Sequence, residues 1–156
     1  MRKKPLSEVT MEYKHILCTF DGSELSEAGL KHAAYLSKTT GAKLHILYVV
    51  EKWYRAADMA TDSPEWQKIH EDWLDKGREL LEAAASKVKS MGASNFQTVM
   101  KDGDAAYEIV AMAMEHRMDL IVMASHRYSP VGKLFAGSVT DKVTRKAPCP
   151  VLWVFA

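Results

Sequence analysis

The residues able to do chemistry in this chain gather in two places. One is Asp21-Gly22-Ser23, a carboxylate, a glycine and a hydroxyl in a row. The other is MASHRYSPVGKLFAGSVTDKV, Met123 to Val143, which holds Ser125, His126, Arg127, Lys133 and the pair Gly137-Ser138. An ionised aspartate only accepts hydrogen bonds, which suits the hydroxyls of a ribose. Small residues at a helix start let backbone N–H groups approach and hold phosphate oxygens, and Gly137-Ser138-Val139 offers such a start. For hydrolytic chemistry Asp21 is the candidate acid facing such a crevice and His126 the candidate base. Each signal also has a plainer reading. Asp-Gly-Ser is a turn with a helix cap, Gly137-Ser138 a packing or capping pair, His126 a loop histidine, and Arg127 and Lys133 solvated charges. Only their joint placement would make a site.

That placement depends on the elements around them. Short apolar runs read as strands at residues 15–20, 43–50, 95–100, 119–125 and 151–155. The third, NFQTVM, is the most polar and suits a sheet edge. Between the runs lie helical patterns. The first carries Leu25, Ala28, Gly29, His32, Ala33 and Leu36 on one face and stops near Gly41. The second opens at Ser63-Pro64, a cap followed by Pro at the first helical position, and carries Trp73, Gly77, Leu80, Leu81, Ala84, Val88 and Met91. The third is capped by Asp104, with Ala106, Ile109, Val110 and Ala113 inward. The fourth runs from about 135 to 146 and is broken by Pro148-Cys149-Pro150. Strand-helix alternation of this kind predicts an α/β fold with a parallel sheet and helices on both faces. In such sheets ligands bind beyond the carboxyl ends of the strands, where strand order reverses. If strands one and four meet there, Asp21 and the loop after Ser125 share one crevice.

Composition narrows the functional classes. With 156 residues, 47% hydrophobic, 26% charged and a formal net charge of +1, the chain has no electrostatic bias toward nucleic acid. No run approaches the roughly 20 apolar residues of a membrane span, and no secretory pattern follows the basic start. Residues 1–12 read as a flexible tail and 13–156 as one domain. Cys18 and Cys149 match no metal or disulfide motif and fit buried thiols in a reducing cytoplasm; no bound metal is expected. Residues 51–66 lack a regular period yet hold Trp53, Tyr54, Met59 and Trp66. These side chains either cover the sheet edge or form a lid or partner patch.

Three stretches together carry a resemblance: HILCTFDGSELSEAGLKHAAYLSKTTGAKLHILYVV, DGDAAYEIV, and DLIVMASHRYSPVGKLFAGSVTDKVTRKAPCPVLWV. From about Tyr13 to Phe155 the chain resembles the universal stress protein family. The resemblance implies a five-stranded parallel sheet in the order 3-2-1-4-5, of the Rossmann-like adenine nucleotide α-hydrolase type. It also implies a homodimer paired through the last strand, here VLWVF. That apolar strand, left as an open edge, would otherwise invite uncontrolled pairing. Members that bind ATP carry G-x2-G-x9-G-[ST] after strand four. Here Ala124 takes the first position, Arg127 the second and Gly137-Ser138 the third. The family's adenosine contacts fall on Thr19, Asp21 and the backbone of Val49.

The resemblance thus implies a dimeric stress-response module binding ATP or another adenine nucleotide through Thr19, Asp21, Val49, Ala124, Ser125, Arg127, Gly137, Ser138 and Val139. Arg127 cuts both ways. A non-glycine residue at φ > 0 costs about 1–2 kcal/mol and crowds a phosphate, whereas a guanidinium can pair with one. The alternatives are a protein-interaction scaffold without nucleotide, its partner unspecified, and a nucleotide hydrolase. Against the hydrolase, no Ser-Gly-rich pyrophosphate loop follows strand one. Against a phosphorelay receiver, strand one lacks an acidic pair.

Overall fold

The computed structural model describes residues 11–51, 62–126 and 138–155. Within them the order is β1 (His15–Thr19), α1 (Glu24–Thr40), β2 (Lys43–Val50), α2 (Pro64–Ser90), β3 (Phe96–Asp102), α3 (Ala105–Glu115), β4 (Leu120–Ser125), α4 (Ser138–Lys146) and β5 (Val151–Phe155). The five strands form one parallel sheet in the order β3-β2-β1-β4-β5. The expected fold class is therefore borne out. The expected tail (residues 1–10 of it), Trp53, Tyr54, Met59, Arg127, Lys133 and Gly137 lie outside the described residues.

The sheet is buried on both faces because its strands are apolar at successive positions rather than alternate ones. Ile16, Cys18, Leu44, Ile46 and Val122 face α1 and α2, packing with Leu30, Ala33, Leu81, Ala84 and Val88. Leu17, Leu47, Ile121 and Met123 face the other way, toward Ile109, Val110 and Ala113 of α3 and Val143 of α4. Caps set the helix ends. Ser23 accepts from Ser26 N–H at 3.1 Å, Ser63 from Trp66 N–H at 3.1 Å with Pro64 in the first turn, and Asp104 from Tyr107 N–H at 2.8 Å. Gly41 ends α1 at φ 78°, a conformation that favours glycine, and donates its N–H to Ser37.

Three expectations need correction. His32 is exposed; the buried stripe of α1 is Ser26, Gly29, Leu30, Ala33, Ala34 and Ser37, because rotating the helix buries Leu30 in place of the polar imidazole. β3 lies at the sheet edge as expected but runs two residues further, to Asp102, because it stays in register with β2 as far as Val50. Trp66, grouped with an irregular segment, sits instead in the first turn of α2. It is buried, stacked on His70 with centroids 5.8 Å apart, and edge-on to Trp73 at 5.5 Å.

Both cysteines are free; Cys18 is fully buried, and burial pushes its thiol up to about 12, which makes it inert. A third polar group is tied into the sheet at the opposite pole from the strand tips. His45 is 3% exposed. Gln97 Nε2 lies 2.9 Å from its Nδ1 and His15 Nδ1 lies 3.3 Å from its Nε2. An amide nitrogen only donates, so His45 Nδ1 accepts and its proton sits on Nε2, directed at His15. Burial, followed by the nearby His15, Lys43 and His116, pushes the His45 pKa down to about 4.

This has a pH consequence. Between pH 6.5 and 4 the unfolded chain takes up a proton at residue 45 that the folded chain excludes, so folded-state stability falls as pH drops through that window. The loss reaches about 3 kcal/mol by pH 4. Urea unfolding of wild type and His45→Gln across pH 4–7 should show a shallower acid slope in the variant.

Candidate functional site

The site follows from connectivity. β1 pairs with β2 on one side and β4 on the other. The crossovers leaving β1 and β2 lay α1 and α2 on one face, while those after β3 and β4 lay α3 and α4 on the other. Beyond the carboxyl ends of β1 and β4 the chain therefore parts and leaves a crevice. A cavity of about 270 Å³ occupies it, lined by Thr19, Asp21, Val49, Ala124 and Val139, five of the nine residues expected there.

Asp21 follows β1 in the turn to α1. Its Oδ1 accepts from Ser23 N–H at 2.9 Å, and its own N–H meets Ser26 Oγ at 3.4 Å. Partial desolvation pushes its carboxyl up, but hydrogen bonds from Ser23 and Ser26 outweigh this and hold it below the ordinary carboxylate range. Asp21 is thus a fixed anion that accepts and does not donate. Gly22 makes the turn possible: its φ is +83°, and a Cβ there would lie 2.4 Å from Leu80 Cδ2 of α2.

The other wall comes from β4 and α4. Ala124, at the first glycine position of the family pattern, lies in extended strand with negative φ. Its methyl faces Gly29 of α1, where an added Cβ would lie 3.4 Å from it. The methyl therefore points to the α1 side of the sheet, away from α3 and α4. Ser125 is buried, its hydroxyl donating to the His126 carbonyl at 3.4 Å, and it is not among the residues lining the cavity. His126 is exposed. α4 begins at Ser138, and Val139 and Thr140 of its first turn border the cavity. The first N–H groups of a helix have no intrahelical acceptor, so this border is rich in donors.

Eleven of the sixteen lining residues were not expected as site residues, and three of them gather where β2 meets α3. Ala105 and Ile109 come from α3, whose pattern marks only a core face. Glu51 stands just past β2 with no motif around it, and its Oε1 accepts from Ala105 N–H at 3.3 Å. Only the register of β2 against α3 puts them there. A second cavity of about 480 Å³ shares Asp21, Tyr48, Val49 and Glu51 with the first and is bounded on its far side by Trp73, Lys76 and Leu80. Among the described residues no cluster of three or more His, Cys, Asp or Glu could hold a metal ion, and no helix is long and apolar enough to cross a membrane.

A parallel sheet with a cleft at its switch point, an aspartate after β1 and a helix start after β4 is architecture of the nucleotide-binding type. The chain belongs to the universal stress protein family, whose model matches residues 12–154. It is similar to universal stress protein MJ0531 of Methanocaldococcus jannaschii, 33% identical over 142 residues that cover 91% of this chain and 82% of that one. A solved universal stress protein in complex with cAMP superposes with a TM-score of 0.70 at 23% identity, covering 93% of this chain and 98% of that one. A universal stress protein from Archaeoglobus fulgidus in complex with dAMP gives a TM-score of 0.66 at 22% identity, covering 92% and 98%. The expected family is borne out.

The Gly22 turn is directly testable. Gly22→Ala should lower stability by about 1–2 kcal/mol through backbone strain alone, with more from displacing Leu80, as read by urea denaturation.

Proposed function

We propose that this universal stress protein binds an adenine nucleotide, without catalysis, in the cleft above β1 and β4. The observation that carries this is the polarity of one cavity. Asp21 presents a fixed acceptor on one wall, and the first turn of α4, whose opening N–H groups have no intrahelical acceptor, borders another. Such a cleft suits a ligand with hydroxyls at one end and an anion at the other. The solved relatives holding cAMP and dAMP have the same fold and support the reading. Ala124 sits in extended strand with negative φ and its methyl packs toward Gly29, so exchanging the glycine there costs no backbone strain.

Titration calorimetry with ATP, ADP and AMP should give saturable binding, weakened roughly tenfold by Asp21→Ala, the loss of one charge-assisted acceptor. No heat at millimolar ligand would leave the scaffold reading in its place. Steady ATP turnover abolished by Asp21→Ala would favour the hydrolase.

The working unit in this proposal is a homodimer joined along β5. That strand ends the sheet. Val151, Leu152 and Trp153 are only half-buried although apolar, and Phe155 is 41% exposed. An edge strand lined with apolar side chains favours an isologous pairing that covers the edge. Phe155 packs edge-on against Trp153 at 6.0 Å and is the most exposed apolar side chain of the strand, which makes it the probe. Sedimentation at low micromolar concentration should find a dimer in wild type and a shift toward monomer in Phe155→Asp. A variant that stays dimeric counts against pairing through β5.

A further inference from the structure

Glu51 stands where a ligand's far end would lie, and no role is yet assigned to it there. This inference rests on the nucleotide reading above and asks which group recognises the base. Phosphate belongs beside the donor-rich first turn of α4, at Val139 and Thr140. Ribose hydroxyls belong beside the Asp21 carboxylate. Elsewhere in the wall Leu47, Val49, Ala105, Ile109 and Met123 offer apolar surface suited to a flat ring, and Glu51 lines the same cavity.

Glu51 is also held in place. Its Oε1 accepts from Ala105 N–H at 3.3 Å, which satisfies one donor of the first turn of α3 and ties the carboxylate to a rigid element. An ionised carboxylate has no proton to give, so whatever meets its other oxygen must donate. Adenine presents an exocyclic amino group, a donor. Hypoxanthine has an oxo group at the same ring position, and an oxygen facing a carboxylate oxygen is repelled.

We propose that Glu51 reads the base: its second oxygen accepts from the exocyclic amino group of an aminopurine nucleotide, and its charge rejects the oxopurine counterpart. Asp21 and Glu51 are the charged side chains lining this cavity among the described residues, and both are anionic. That end of the cleft therefore repels phosphate and fixes the ligand's direction.

The test compares AMP with IMP by calorimetry on wild type, Glu51→Gln and Glu51→Ala, with thermal melts to check folding. Wild type should prefer AMP by roughly tenfold or more. Glu51→Gln keeps the contact to Ala105 N–H, which only the amide oxygen can accept. Its NH2 must then face the cleft and donate, so the preference should reverse toward IMP. Glu51→Ala should erase it. A residue that merely capped α3 would change stability without moving the AMP-to-IMP ratio. Equal binding of AMP and IMP by wild type, or an unchanged ratio in Glu51→Gln, overturns the base-reading role while nucleotide binding stands. Failure of both nucleotides to bind wild type overturns the cleft reading and this inference together.

Discussion

Parallel strands cannot be joined by tight turns, and every other feature of this molecule follows from that constraint. Each connection must climb over a face of the sheet as a helix, and both faces must then be apolar. β1 and β4 lie side by side although their outgoing crossovers cover opposite faces. Backbone leaving their tips diverges, so the crevice above them is a product of topology rather than of any side chain. Residues such as Asp21 and Glu51 decorate an opening that the strand order has already made.

What decorates it is arranged by local hydrogen bonding. Asp21 is immobilised by the same Ser23 that caps α1, so capping the helix and aiming the carboxylate are one event. Glu51 is immobilised by the first turn of α3 in a parallel fashion. In each case a carboxylate just beyond a strand tip is braced by the start of a helix. Such bracing lowers the entropy lost when a ligand binds, since the acceptors are oriented beforehand.

Legibility in the sequence followed the range of the physics. Signals that act over three or four residues were readable: the caps Ser63-Pro64 and Asp104, the left-handed stop at Gly41, the runs of β-branched and aliphatic residues. Strand order was not a local signal and came through the resemblance of the DGS turn and the closing GSV and APCPVL segments. The α1 face was misread at His32 because a face defined by spacing alone leaves the helix free to roll, and packing of Leu30 and Ala34 decided it. Asp21, Thr19 and Val49 line one cavity because strand tips converge in this fold, though Thr19 and Val49 were named only through the resemblance. Glu51, Ala105 and Ile109 were missed because their meeting depends on how β2 registers against α3, a contact between residues far apart in the chain.

The direction of one methyl group has a wider meaning. Side chains along a strand alternate between the two layers, so a residue's parity decides which layer feels a change there. At Ala124 the parity is that of Val122, and the methyl is absorbed by the hollow at Gly29. Met123, of opposite parity, packs with α3 and α4, so the two neighbours border the cavity from different layers. Counting glycines in a motif treats these neighbours as equivalent, whereas the pleat hands a change at one to α1 and a change at the other to α3 and α4.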